Sequence, residues 1–464
     1  MKDMTLERIA ACCGGTYHGS KEAEKQEVTG IAIDSRKVTK GGLFIPICGE
    51  RVDGHSFIPQ VMEQGALCTL SEHPLEEAYQ PYIEVASTTD ALKKIAACYR
   101  QILGIPVVGI TGSVGKTSTK EMIASVLGEK YHVHKTAGNF NNEIGLPLTV
   151  FGLTEEHEAA VLEMGISDFG EMHRLAEIAN PDICVITNIG QCHLENLGTR
   201  DGILRAKTEV FAHLRGPKTV ILNGDDDKLS TVTEVEGKAP ILYTKTEDTR
   251  ENVHAYASDI VPLGMEGIRM TLHLYGESQT VTIPIPGEHN IYNALAAIAL
   301  ADLFAIPRDK TAKALAGFHG TDRRFEYKGC LNGFTIIDDY AHHPSEITAT
   351  LTAAQNYPHQ KLWVVFQPHT YTRTKAFLKD FARALAMADE VILADIYAAR
   401  ETDTLGISSE TLKEEILPLN PNCHYFGSFS EIEKFILENC APGDLLITMG
   451  AGDVVNIGEE LLSR

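Results

Sequence analysis

The sequence predicts an α/β protein, and three observations carry that prediction. From about residue 103 to 315, short apolar runs alternate with helical stretches, the pattern of a mostly parallel sheet wrapped by helices. The alternation resumes after Phe318. At the head of the first block, the apolar run 107–110 feeds a glycine-bracketed loop that opens directly into an amphipathic helix.

That loop reads Thr111, Gly112, Ser113, Val114, Gly115, Lys116, Thr117, Ser118. Its composition suits a phosphate cradle, because glycines let backbone N–H groups approach an anion and a helix N-terminus adds positive potential. Lys116 is placed to reach the outer phosphates and Thr117 to hold Mg²⁺. Ile110 stands where the strict G-x-x-x-x-G-K-[ST] spacing has its first glycine. Met122, Ile123, Val126 and Leu127 then mark one apolar helical face.

A chain of 464 residues has room for two to four domains. Its 44% hydrophobic and 22% charged content is that of an ordinary globular protein. The net charge of −22, with no basic block, argues against nucleic acid as a partner. Any polyphosphate must therefore be held by local features against the overall charge. The ten cysteines are scattered without a C-x-x-C, so neither a zinc site nor a redox dithiol is suggested, and buried reduced thiols are expected. No signal peptide or membrane-spanning run is visible, which places the chain in the cytoplasm without membrane insertion. It is expected to act as a monomer.

Taken in order, residues 1–102 open with a helical pattern from Leu6 to Ala11 that ends at Gly14 and Gly15. An alternating strand from Val28 runs into the polar residues Asp34, Ser35 and Arg36, which by themselves read as a solvated turn. A second strand, 43–47, precedes Asp53, Gly54 and His55.

The central strands are expected at 107–110, 159–164, 183–189 and 219–222, several of them ending in polar residues such as Glu163 and Asn188. Ligands of open α/β sheets bind beyond the carboxyl ends of strands, so this placement agrees with the phosphate loop. Glu163 with His193 suits Mg²⁺ or Mn²⁺ better than a zinc cage. Lys207 lies in a helical pattern whose spacing alone puts it on the surface. A β-rich insertion, 253–286, precedes Asn290, Asn293 and an Ala/Leu-rich helix.

In the last block, strands are expected at 334–337, 362–366, 391–394 and 445–448. Polar clusters follow them, one with Asp339, Tyr340, His342 and His343, another with His369 and Arg373. The histidines suit a metal cluster or polar substrate contacts about equally. Arg324, at the junction of the two α/β blocks, can clamp a transferring phosphoryl group or form a linker salt bridge.

Together these motifs resemble those of the Mur ligase family, ATP-dependent enzymes that extend the peptide of the cell-wall precursor. The loop around Lys116 resembles the family's phosphate loop, including its departure from the strict spacing. The resemblance implies Mg²⁺ ligands at Glu163 and His193, and a carbamylated lysine at Lys207, within Ala206-Lys207-Thr208-Glu209, that would hold a second Mg²⁺. It implies adenine-side contacts from Asn290 and Asn293, and nucleotide contacts from Arg324 and Asp339. Asp34, Ser35, Arg36, Asn141 and Asn142 resemble the substrate positions of the member that adds D-alanyl-D-alanine to the UDP-N-acetylmuramoyl tripeptide. The third block, with Tyr340, His342 and Arg373, is instead similar to the member that adds L-alanine.

The architecture so implied has three domains. Residues 1–102 form a UDP-sugar domain, 103–315 a central ATPase domain on a parallel sheet, and 316–464 a dinucleotide-fold-like domain for the incoming amine. A peptide carboxylate would attack the γ-phosphate of ATP, with Lys116, Lys207, His193 and Arg324 as the catalytic set, and the amine would then attack the acyl phosphate. D-alanyl-D-alanine addition is the expected reaction and L-alanine addition the alternative. A non-catalytic, nucleotide-switched binding protein is a third reading.

Overall fold

The computed structural model describes residues 1–49, 52–274, 276–355, 357–399 and 401–464. They form two compact units: Met1–Ser258 with Thr271–Val281 and Ile291–Leu315, and Asp259–Met270 with Thr282–Asn290 and Ala316–Arg464.

Three sheets organise the chain. The first holds β1 (Thr16–His18), β2 (Ile31–Ala32), β3 (Leu43–Phe44), β4 (Cys68–Ser71) and β5 (Tyr82–Glu84), in the order β1-β5-β4-β3-β2. The expected first strand is short because Asp34 accepts the Arg36 N–H and caps a tight Ser35–Lys37 turn, which stops sheet pairing after Ala32. The opening helix runs Leu6–Cys13 and closes on Gly14 at φ +70°.

The second sheet contains β6 (Val107–Thr111), β7 (Val133–Lys135), β8 (Ala159–Glu163), β9 (Ile183–Ile186), β10 (Thr219–Asn223), β11 (Ile241–Thr244), β12 (Val253–Pro262), β13 (Ile268–Leu274) and β14 (Glu277–Ile283). Their order is β14-β13-β12-β11-β10-β9-β6-β8-β7. From β7 through β12 the pairings are parallel, as the strand–helix alternation predicts. Residues of β6, β8 and β9 are buried on both faces, which is why they read as continuous apolar runs. The 253–286 insertion supplies β12 to β14. Only three residues of β7 and four of β11 pair, too few to leave a periodic signal.

The first sheet is joined to the second by the Thr88–Leu103 helix. Its buried Arg100 donates to the carbonyls of Ala179 and Asn180 and pairs with Asp182 at 2.9 Å, while Asp182 also accepts the Val107 N–H at 2.8 Å. Tyr99 donates to the Leu153 carbonyl. One apolar core runs through both regions, from Leu6 and Leu92 to Leu162 and Ile186.

A disulfide links Cys12 to Cys98, correcting the expectation of reduced thiols throughout. The two residues lie 86 positions apart, so no spacing motif announces the pair. Cys48 and Cys330 are exposed, while Cys13, Cys68, Cys184 and Cys423 are buried as expected.

The third sheet has β15 (Glu326–Leu331), β16 (Phe334–Asp339), β17 (Leu362–Phe366), β18 (Glu390–Leu393), β19 (Cys423–Tyr425) and β20 (Leu445–Met449), in the order β15-β16-β20-β17-β18-β19. All pairings are parallel except that of the edge strand β15. Successive residues of β17 alternate between two cores, Val364 and Phe366 on one face, Trp363 and Val365 on the other. No helix among the described residues is long and apolar enough to cross a membrane.

Candidate active site

β6 delivers the loop at its carboxyl end, and the Lys116–Gly128 helix begins immediately after it. Met122, Ile123, Val126 and Leu127 are fully buried, so the apolar face read from the sequence seats this helix. Gly112 lies at φ +149°, and a Cβ there would stand 1.9 Å from Thr187 Oγ1, so only glycine fits. No side chain caps the helix start at Gly115, which leaves the first-turn N–H groups for an anion. Lys116 Nζ donates to the carbonyls of Gly112 and Ser113 at 3.0 and 3.2 Å, holding its charge over the loop.

Glu163 ends β8 and is buried. Its Oε1 accepts from Asn141 Nδ2 at 2.8 Å. Its Oε2 has no hydrogen-bond partner among the described residues, although the buried Lys120 ammonium lies 4.0 Å away. Lys120 is held back by the Thr136 carbonyl at 2.5 Å and the Glu121 carboxylate at 3.0 Å. A buried carboxylate oxygen without a donor is the arrangement a hard cation would complete, so Glu163 fits an Mg²⁺ ligand. His193 takes a left-handed backbone, φ +57°, at the start of the Leu194–Leu197 helix.

Lys207 corrects the surface placement expected from spacing: only 2% of it is exposed. Burial first, and the Lys116 charge second, lower its pKa to about 7. A substantial fraction of its amine is thus neutral near pH 7, the state required of a nucleophile toward CO₂.

Three residues expected to contact ligands carry local structure. Asn142 Oδ1 accepts the N–H groups of Ile144 and Gly145 at the head of the Gly145–Phe151 helix. Asn293 Oδ1 accepts from Thr119 Oγ1 at 2.9 Å, behind the phosphate loop. Asn290, one turn earlier on the His289–Leu303 helix, donates to the Pro286 carbonyl.

In the first sheet region, Arg36 grips Asp34 bidentately at 2.8 and 2.9 Å, which holds the Asp34 carboxyl down at about 2. Ser35 opens the same turn. Nearby, Cys48, Asp53 and His55 bring three metal-capable donors together. They are already committed to each other, however. His55 Nε2 accepts the Glu72 N–H, so its proton sits on Nδ1 and donates to Asp53 at 2.7 Å.

The second unit builds its own polar cluster at the carboxyl ends of β16, β17 and β20. Arg323 braces it, donating to Asp338, Gly450 and Gly452. The Arg324 N–H donates to the Thr321 carbonyl, while its guanidinium has no hydrogen bond among the described residues and lies over the Tyr340 ring at 5.3 Å. Asp339 accepts from the Phe325 and Ala341 N–H groups and from Thr350, and burial raises its pKa. His342 contacts Tyr340 and His369, and Arg373 reaches His369 at 3.4 Å. Burial lowers His342, and burial with the nearby Arg373 charge brings His369 down to about 4, so both imidazoles are neutral at pH 7. A neutral pair flanking one guanidinium suits a carboxylate ligand better than a metal cluster.

Sequence reasoning gave no role to Thr187 or Asn188. Both lie just beyond β9 and hydrogen-bond the loop tip at Val114. The only available signal was a polar residue at a strand end.

Three family models match the chain: "Mur ligase family, catalytic domain" over residues 27–100, "Mur ligase middle domain" over 110–301, and "Mur ligase, glutamate ligase domain" over 323–452. The UDP-N-acetylmuramate–L-alanine ligase of Lachnospira eligens is 38% identical over 403 residues, covering 85% of this chain and 83% of that protein. The UDP-N-acetylmuramoyl-tripeptide–D-alanyl-D-alanine ligase of Bacillus subtilis is 41% identical over 355 residues, covering 76% and 75%. In structure, the chain is similar to MurF from Acinetobacter baumannii, with a TM-score of 0.82, 26% identity and 99% of both chains covered. The chain belongs to the Mur ligase family, the ATP-dependent enzymes that form amide bonds in building the peptidoglycan precursor.

Proposed function

We propose that this chain joins D-alanyl-D-alanine to the UDP-N-acetylmuramoyl tripeptide. The observation that carries the choice is its likeness to a MurF structure along essentially the whole of both chains. Residues 1–102 would hold the UDP-sugar, 103–315 the ATP and 316–464 the amine.

The acceptor's terminal carboxylate attacks the γ-phosphorus of ATP, ADP departs, and an acyl phosphate forms. Lys116 and the first-turn N–H groups stabilise the charge that gathers on the phosphate oxygens. The Arg324 guanidinium, which makes no hydrogen bond among the described residues, is assigned the nucleotide contact that the family resemblance implies. Thr117, Glu163, His193 and a carbamylated Lys207 are the residues to hold Mg²⁺, which when bound neutralises phosphate charge. Lys120 compensates Glu163 from 4.0 Å without using up its Oε2. The amine then attacks the acyl carbon, phosphate leaves, and the ammonium proton is released. In the amine region, Arg373 holds the dipeptide carboxylate while His342 and His369, both neutral, leave the charge pairing undisturbed.

L-alanine addition to UDP-N-acetylmuramate remains a second reading, favoured by the many relatives that bear that name. Phosphate release measured with both acceptors crossed against both amines separates the two. Turnover with tripeptide and dipeptide supports the proposal. Turnover only with UDP-N-acetylmuramate and L-alanine overturns it.

A further inference from the structure

Two N–H groups at the tip of the phosphate loop do not face a phosphate at all. Ser113 N–H donates to the Asn188 carbonyl at 3.0 Å, and Val114 N–H donates to Asn188 Oδ1 at 3.0 Å. The Asn188 amide also donates from Nδ2 to the Val114 carbonyl at 2.9 Å, so side chain and peptide pair reciprocally, donor to acceptor on both sides. Thr187 Oγ1 donates to the same Val114 carbonyl at 2.6 Å. Val114 is 43% exposed, so these polar contacts, more than apolar packing, set where the loop tip lies.

Gly112 and Gly115 flank this tip at φ +149° and +83°, and glycine linkages of that kind are conformationally loose. The donors left for an anion are the N–H groups at the start of the Lys116–Gly128 helix and the Lys116 ammonium. Their convergence on one point requires the tip to be held. We propose that Asn188 is the positioning residue of the nucleotide site: it fixes Val114 so that these donors are aligned before the nucleotide arrives. The inference rests on the nucleotide-binding reading of the loop. Asparagine is required because only an amide of this length offers one donor and one acceptor to a peptide. Aspartate would set an anion against the Val114 carbonyl, and alanine offers neither group.

The test is titration of the full-length protein with ADP and Mg²⁺, by calorimetry, without turnover. N188A is expected to raise the ADP Kd by about tenfold or more, the equivalent of one or two lost aligning hydrogen bonds. N188D is expected to be at least as impaired, although it keeps an oxygen for the Val114 N–H. T187V, which removes a single arm, is expected to loosen ADP by about threefold. Binding of the UDP-sugar peptide acceptor should stay within about twofold of wild type in all three, and a merely structural role would not split the two ligands in this way. ADP affinity unchanged in N188A and N188D overturns the inference while leaving the nucleotide site intact. Failure of the wild type itself to bind ADP overturns the reading on which it rests. If N188A and N188D fail to fold, T187V decides, and wild-type ADP affinity in that variant overturns the proposal.

Discussion

Asn293 Oδ1 accepts a hydrogen bond from the Thr119 hydroxyl at 2.9 Å, and the same oxygen lies 3.0 Å from where a Cβ on Gly115 would stand. One asparagine thus supports the loop helix and limits the room beside the loop's last glycine. Gly115→Ala combines that close approach with a left-handed φ of +83°, a conformation costing a side-chain-bearing residue about 1–2 kcal/mol. ADP affinity is expected to fall about tenfold while the far-ultraviolet circular dichroism is unchanged. Wild-type affinity in this variant would show that the loop geometry tolerates a Cβ.

Lys116→Ala is expected to remove most of the ligation activity from a folded protein. Among the described residues its ammonium bonds only loop carbonyls, and it is not part of the apolar core. A charge contact of this kind is worth on the order of 10²–10³ in rate. Near-normal kcat with retained thermal stability would remove the phosphate-loop assignment.

Lys207 makes a prediction in both chemistry and pH. Its folded pKa is about 7, against an ordinary 10.5. Between those values the unfolded chain holds a proton that the folded chain has released, so stability rises with pH across the window. Below about pH 7 both states are protonated and the fold carries the whole cost of a buried charge. Lys207→Met should therefore raise Tm most at acidic pH and progressively less above neutrality, while nearly abolishing turnover. For the carbamate, Lys207→Ala is expected to regain activity with added short carboxylates, and ¹³CO₂ should give the wild type a carbamate resonance that the variant lacks.

Arg100→Met tests the joint between the first two sheets. It strands Asp182, whose remaining partner is the Val107 N–H, and breaking a buried pair in this way costs about 3–5 kcal/mol. Urea unfolding should report a loss of that size. A change below about 1 kcal/mol would mean that the apolar core alone carries the junction.

The phosphate loop was legible because everything it needs is contiguous: an apolar strand, two glycines with positive φ, a lysine and a helix face. Glu163 was legible for a related reason, since a carboxylate ending an apolar strand is a local contrast. Lys207 was not. A helical wheel shows which side a lysine takes, but what covers that side comes from other segments of the chain.

The sequence by itself determined the α/β class, the core strands β6, β8, β9 and β10, the loop that opens the Lys116–Gly128 helix, and the family resemblance, all of which are written in short-range pattern. Tertiary structure alone decided that Cys12 meets Cys98, that Lys207 is buried and near neutrality, and that Asn142 supports a helix head. It alone decided that Asn188 closes on Val114 across 74 positions. The physical reason is common to them. Side-chain period and glycine placement are properties of neighbouring residues, whereas burial and hydrogen-bond partnership belong to pairs that meet only when the chain has folded.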